Sequence, residues 1–316
     1  MYRFIAEEEK KIRLDLFLKE KIPSLSRSFI QRLIKEENVK VNGCSSEKDS
    51  LISKGDKILV AILPLAETEA RPEPIPVDIL WEDENLVVVN KPAGMLSHPT
   101  SKGEKNSLVN ALLLHSGHLC EIGAPLREGI VHRLDKDTSG VMVVAKDNYT
   151  YLGLSAQFRK RVVKKTYSAL VRGIPSQEEG LIEGEIGRDP KRGKKMILGR
   201  GLSHQAVTHY QVLKKWKNYS LLELHPLTGR THQIRLHLHL INCFLMGDKI
   251  YGGKKWQDFP CKLKRAMLHA KSLGFFHPKT GEWMEFKASL PPDMQNIIDY
   301  LNLRFLRRSE ISDCTG

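Results

Sequence analysis

HRLDKDTSG, residues His132 to Gly140, interrupts two apolar runs, GIV at 129–131 and VMVVA at 141–145. The pattern reads as a loop crossing from one buried strand to the next, and loops at strand ends are where a rigid scaffold exposes chemistry. Within it Asp135 and Asp137 are carboxylates, Arg133 and Lys136 bring positive charge, and Thr138, Ser139 and Gly140 suit a tight turn. Taken alone, these residues do not separate an active-site carboxylate from one that hydrogen-bonds its own backbone, the commoner use of Asp in a turn.

On either side, ILWEDENLVVVNKPAG from Ile79, KKTYSALVRG from Lys164, AVTHYQVL from Ala206 and YSLLELHPL from Tyr219 alternate short β-rich runs with loops. Helices are fewer, so the class is α+β on a mixed, largely antiparallel sheet. Tyr167 shares a strand face with Ala169 and Val171, where by itself it reads as a core aromatic whose hydroxyl finds a partner. NKPAG, Asn90 to Gly94, reads as a turn after LVVV with Lys91 solvated. The basic clusters RKRVVKK at 159–165 and RDPKRGKK at 188–195 favour phosphate contacts without base reading.

The second constellation is LHPLTGRTHQIRLHLHL, Leu224 to Leu240. A strand ending at His225 turns through Thr228-Gly229 into a helix, with Thr231 as candidate cap. Arg230 has a charge suited to RNA or to a buried carboxylate. His232, His237 and His239 invite a metal, but on a helix His232 and His239 stand ~10 Å apart and His237 points elsewhere. No metal site is expected.

The first 63 residues read as a separate unit. Leu14, Phe17, Leu18 and Ile22 recur at helical spacing, and Ser26 is a candidate cap for a second helix through FIQRLIKEE. On that helix Phe29, Ile30, Leu33 and Ile34 fall on one side, while Arg27, Gln31, Arg32 and Lys35 share the other. VKVNG gives a strand into an Asn42-Gly43 turn, and DKILVAIL, just after Gly55, gives a second strand. Residues 64–76, with Pro72, Pro74 and Pro76, read as a linker. Residues 77–306 form the larger domain, and 307–316 a frayed tail.

The 316 residues are 41% hydrophobic and 28% charged, which fits a soluble globular protein rather than a disordered or membrane-embedded one. Lys plus Arg number 50 against 37 acidic residues, a net +13 that favours a polyanionic partner, nucleic acid first. No run approaches the roughly 20 apolar residues of a spanning helix and the N-terminus lacks a signal-peptide core, so a cytoplasmic location away from membrane is expected. Cys44, Cys120, Cys243, Cys261 and Cys314 are widely spaced, which indicates neither a disulfide framework nor a zinc ribbon. The absence of GxxxxGK[ST], GxSxG, GxGxxG and HExxH patterns disfavours an NTPase, an α/β hydrolase, a dinucleotide enzyme and a zincin.

Taken in order, NKPAG, HRLDKDTSG, KTYSALVRG, LHPLTGRTHQIRLH and RAMLHAKSLGFFHP resemble the RluA-type family of pseudouridine synthases over roughly Ile79 to Leu290. RLD, SRSFIQRLI, VNG and GD, across roughly Ile12 to Leu63, resemble the S-four-type RNA-binding domain carried by two-domain members. The resemblance implies a pseudouridine synthase fold with a central cleft, preceded by a small α/β RNA-binding domain. It also implies a reaction: a uridine within RNA leaves its stack, loses its bond from ribose carbon 1′ to base nitrogen, turns, and is rejoined through base carbon 5.

By the same resemblance Asp135 is the essential carboxylate, acting as nucleophile on the sugar or as base at carbon 2′. Arg133 occupies the space of the flipped nucleotide, Tyr167 lies against the base and takes the carbon 5 proton, and Arg235 pairs with the carboxylate, with Arg230 as second choice. Ile234 or Leu236 is the candidate apolar wall. Arg27, Arg32 and Lys35 are the RNA-facing candidates of the first unit. The expected protein is a monomer without cofactor or metal, acting on large-subunit ribosomal RNA. A transfer RNA pseudouridine synthase and a non-catalytic RNA-binding ribosome-assembly protein are the alternatives.

Overall fold

The computed structural model describes residues 2–7, 11–23, 25, 27–61, 70–100, 104–120, 122, 126–189, 195–199, 202, 204–252, 259–260 and 263–305. Ser26, residues 64–69 of the expected linker, the centre of the 188–195 basic cluster, Cys261, Cys314 and the 307–316 tail lie outside the described residues. The helices are α1 (Leu14–Lys21), α2 (Arg27–Lys35), α3 (Leu108–Ser116), α4 (Asn148–Lys160), α5 (Gln233–Leu240) and α6 (Pro292–Phe305). None of the helices among the described residues is long and apolar enough to cross a membrane.

In the first unit the apolar faces read from the sequence meet. Leu14, Phe17 and Leu18 of α1 pack with Ile22 and with Phe29, Ile30, Leu33 and Ile34 of α2, over Val39, Ile58 and Val60. Asn42 and Gly43 take φ of 51° and 86°, the left-handed pair a tight hairpin demands, and join Val39–Val41 to Cys44–Ser45. Tyr2–Ile5 adds an edge strand beside Lys57–Val60. The polar side of α2 is divided. Asp15 of α1 is fully buried and accepts from Arg27 at 2.9 Å and Gln31 at 2.7 Å, with Arg13 at 3.1 Å. Burial alone would raise the pKa of Asp15, but the hydrogen bonds from Gln31, Arg13 and Arg27 outweigh it and hold the value at about 2.

The large sheet is mixed. Its strands run in the order Met196–Leu198, Glu179–Arg188, His204–Trp216, Tyr219–Pro226, Lys164–Arg172, Leu268–Phe276, Ser139–Ala145, Leu86–Lys91, Asp78–Glu82. Phe244–Leu245 pairs with Lys164–Arg172, and Trp283–Lys287 with Leu268–Phe276. Every junction is antiparallel except that of Leu268–Phe276 with Ser139–Ala145. Ser139–Ala145 is buried along its whole length. Met142 and Val144 face a core with Leu108 and Leu112 of α3, whereas Val141 and Val143 face Leu154 of α4. Covered on both faces, the strand has a continuous apolar sequence instead of an alternating one.

At the parallel junction the register aligns Gly140 with Ala270, and Ala270 with Tyr167 on the next strand. Gly140 has φ 118°, and a Cβ there would lie 2.2 Å from the carbonyl oxygen of Ala270. Only glycine permits this approach. It sets the loop that precedes Gly140 within reach of Tyr167. The prolines at 72, 74 and 76 lie along α3: Ala70 is in the core beneath it, and Asn110 donates to the Arg71 carbonyl at 2.7 Å and accepts from the Glu73 amide at 3.0 Å.

Candidate active site

The loop carrying Asp135 is held from behind, carbonyl by carbonyl. The Leu134 carbonyl accepts from the Ser97 hydroxyl at 2.9 Å, and that of Asp135 from the Thr138 amide at 3.0 Å. The Lys136 carbonyl accepts from Lys91 Nζ at 3.3 Å and the Asp137 carbonyl from Arg265 at 3.3 Å. Lys91 thus departs from the sequence expectation. It is fully buried, with Nζ also donating to the carbonyls of Met95 at 2.8 Å and Pro92 at 2.9 Å. Burial brings its pKa down to about 7, against the raising influence of Asp135 and Asp137. A solvated lysine and a buried one look alike in NKPAG, because all its partners are backbone oxygens brought there by folding.

His132, at the loop's start, stacks on Phe158 of α4 with ring centroids 4.6 Å apart, and its Nε2 accepts from the Val143 amide at 3.1 Å. Burial, with a smaller push from Lys165, lowers its pKa to about 3, so the ring is a neutral acceptor.

The second constellation supplies the other half. Thr231 is not the cap of α5; His232 occupies that position in the left-handed region at φ 57°, with no side-chain capping bond. The turn is instead organised by buried Gln233, which accepts from the Thr228 hydroxyl at 2.7 Å and the Arg230 amide at 3.0 Å and donates to the Val207 carbonyl at 3.0 Å. The histidines diverge: His232 Nδ1 meets Tyr251, His237 Nδ1 meets Thr208, and the His239 ring lies edge-on to Phe244.

Arg235 does reach Asp135, at 3.3 Å through one nitrogen. Its fork, however, grips Asp248, at 2.6 and 2.7 Å, and Asp248 in turn accepts from the amides of Ile250 and Tyr251. Burial acts against both charges, but the pairing outweighs it, raising the Arg235 pKa and lowering that of Asp248. Sequence reading missed Asp248, since nothing within MGDKIYGG distinguishes it from a turn aspartate. Arg230 turns away, donating to the Gln205 carbonyl at 3.4 Å.

These groups share a cleft of about 580 Å³. Asp135, Tyr167 and Arg235 line it together with the apolar side chains of Ile234 and Phe158. Leu236 packs elsewhere, beside Ile186 and Ala206. Arg133, Arg159, Arg161, Lys165 and Arg230 also line the cleft, which therefore combines a carboxylate and an apolar wall with a surplus of cations. Lys165 donates to the Thr228 carbonyl at 3.3 Å, and burial followed by the charge of Arg161 lowers its pKa to about 8. Tyr167 is shifted above the ordinary phenol value, by burial first and then by the charge of Asp135. Its hydroxyl therefore keeps its proton at neutral pH. Arg27, Arg32 and Lys35 are not part of this cleft: Arg27 holds Asp15, Arg32 lies 5.0 Å over the Phe29 ring and 3.6 Å from Glu36, and Lys35 is exposed.

Comparison with known proteins identifies the family. Residues 85–240 match the RNA pseudouridylate synthase family. An uncharacterized RNA pseudouridine synthase of Bacillus subtilis, YlyB, is 40% identical over 296 residues, covering 94% of this chain and 96% of its own. The ribosomal large subunit pseudouridine synthase D of Zymomonas mobilis is 40% identical over 311 residues, with 94% and 96% covered. Among solved structures, human RNA pseudouridylate synthase domain containing 4 superposes with a TM-score of 0.55 at 29% identity, covering 71% of this chain and 93% of that one. The chain belongs to the RNA pseudouridine synthases, a family of isomerases whose substrate is RNA.

Proposed function

We propose that this protein converts uridine to pseudouridine in large-subunit ribosomal RNA, with Asp135 as the essential carboxylate. The observation that carries this reading is the position of Asp135: on a loop braced at four successive carbonyls, touching Arg235, in a cleft shared with Tyr167. A braced carboxylate needs little reorganisation when charge develops at the sugar. The target is supported by relatives named ribosomal large subunit pseudouridine synthase D in Zymomonas mobilis and Neisseria meningitidis.

In this reading the flipped uracil enters between Tyr167 and the Ile234 wall, while Arg133, Arg159, Arg161 and Lys165 meet the phosphates on either side. Asp135 acts at the ribose, the bond from carbon 1′ to nitrogen breaks, the base turns, and carbon 5 is joined to carbon 1′. The carbon 5 proton then leaves, and the nitrogen first bonded to the sugar gains one, so no atom is gained or lost. Because Tyr167 is held neutral, its hydroxyl relays that proton and does not act as a phenolate base. Arg235, itself fixed by Asp248, holds Asp135 in position. The first unit, read as an S-four-type RNA-binding domain, adds affinity through exposed Lys35, the guanidinium nitrogens of Arg32 being buried.

The test is Asp135→Asn in purified protein, alongside pseudouridine mapping of total RNA with and without the gene. The amide is nearly isosteric but neither attacks nor accepts a proton efficiently, so binding persists and product formation disappears. Turnover by the variant at the parental rate would overturn the role of Asp135, and unchanged large-subunit RNA in the deletion strain would overturn the target.

A further inference from the structure

Tyr251 stands behind the catalytic pair, 9% exposed. Its hydroxyl meets the amide nitrogen of Met196 at 3.2 Å, the carbonyl oxygen of Met196 at 3.1 Å and Nδ1 of His232 at 2.8 Å. A phenolic oxygen donates one hydrogen bond and accepts two, the amide only donates, and the carbonyl only accepts. All three partners are satisfied together in one way. The hydroxyl proton goes to the Met196 carbonyl, and His232 Nδ1 carries a proton that it donates to the hydroxyl oxygen.

A neutral ring in that tautomer leaves Nε2 as a bare acceptor, 3.8 Å from Oδ2 of Asp135. His232 holds this place with φ 57° and ψ 18°, a conformation that side chains with a Cβ seldom adopt and that persists where the surroundings enforce it. The face of the Tyr251 ring is engaged as well. Arg235 lies 5.1 Å from its centroid and Lys195 5.6 Å. Lys195 immediately precedes Met196–Leu198, the strand that pairs with Glu179–Arg188 at the end of the large sheet.

We propose that Tyr251 is a positioning residue whose hydroxyl fixes His232 as a hydrogen-bond acceptor beside Asp135 and ties that arrangement to the strand Met196–Leu198. The proposal rests on the reading of Asp135 as the essential carboxylate. With Nε2 unprotonated, the ring offers no donor to ionised Asp135, whose charge is left to Arg235 and to the substrate. Should Asp135 take a proton from the sugar, the new carboxyl O–H donates to Nε2 and the proton returns along the same path. Burial above all, with Arg235 and Arg133, disfavours a cationic ring and outweighs Asp135 and Asp248, so the imidazole's pKa is lowered.

Two measurements test this. The imidazole nitrogen shifts of His232 in the full-length protein report its tautomer directly: a protonated Nδ1 is expected, and a neutral ring protonated at Nε2 overturns the proposal with no variant needed. Tyr251→Phe keeps the ring over Arg235 and Lys195 but loses the hydroxyl, freeing the imidazole to turn its N–H toward Asp135. We expect kcat to fall about tenfold with KM and RNA affinity within about twofold of the parent. His232→Asn, which tolerates the left-handed backbone, should produce a similar loss, and the double variant should be no worse than the single ones. Parental kcat in Tyr251→Phe, or losses that multiply in the double variant, would refute the coupling. Activity surviving in Asp135→Asn would instead remove the catalytic reading, leaving the tautomer result standing by itself.

Discussion

At the scale of single residues, Tyr167 and Lys165 lie two positions apart on the same strand and line the same cleft with different charges. Tyr167→Phe keeps the ring, so a residue that only packs would lose little beyond one hydrogen bond, of order 1 kcal/mol. As the proton relay, it should instead release tritium from carbon 5 of the target uridine at least ~100-fold more slowly while binding RNA nearly as well. Near-normal release would return Tyr167 to a packing role. For Lys165 the sign follows from its pKa of about 8, below the ordinary 10.5. The cation is present below pH 8 and is lost as pH rises through that value in the free enzyme. RNA affinity at fixed salt should therefore weaken between pH 7 and pH 9, and Lys165→Arg should flatten that dependence because guanidinium stays charged. A variant with the parental pH profile would assign the titration to another group, Lys91 at about 7 being the next in line.

At the scale of elements, the parallel junction depends on Gly140. Gly140→Ala places a methyl group against the Ala270 carbonyl at a positive φ, so it should destabilise the protein by at least about 2 kcal/mol and displace the loop carrying Asp135. The unfolding midpoint and turnover should fall together. If thermal unfolding is unchanged, the junction is more yielding than its geometry indicates. The elements readable from sequence were those whose signal is local. VMVVA is a continuous apolar run because both faces are covered, Asn42-Gly43 is a turn because of its backbone demands, and α2 has its apolar residues on one side. What escaped was set by distant partners. The start of α5 is organised by Gln233 reaching Val207, and not by a cap at Thr231; Lys91 is buried by carbonyls up to 45 positions away; Asp248 gains its meaning from Arg235. Tyr2–Ile5 is a short edge strand whose residues stay mostly exposed, so it leaves little hydrophobic pattern.

At the scale of the whole molecule, the first unit has its own core, yet Leu152 of α4 and Ile122 rest against it, and Arg159 donates to the Pro23 carbonyl. Arg159 also lines the cleft, so the first unit adjoins the proposed RNA site. The boundary for truncation follows from the packing of residues 70–77 and not from the proline composition. Removing residues 1–61 should leave a folded, active catalytic domain. Removing 1–75 also strips Ala70 from the core and deprives the buried Asn110 side chain of the Arg71 carbonyl, costing a further ~1–3 kcal/mol. Thermal unfolding of the two truncations distinguishes these cases, and equal midpoints would show that the segment contributes nothing to the larger core. The shorter deletion also tests the first unit's RNA role. Since Arg27 is committed to Asp15 and the guanidinium nitrogens of Arg32 are buried, the face has Lys35 left to offer, so the slope of log affinity against log salt should become shallower by roughly 0.7 for each phosphate that the truncated protein no longer neutralises. A slope unchanged by the deletion, measured on the same RNA, would mean that the first unit touches no phosphates and that the cations around the cleft carry the electrostatic attraction alone.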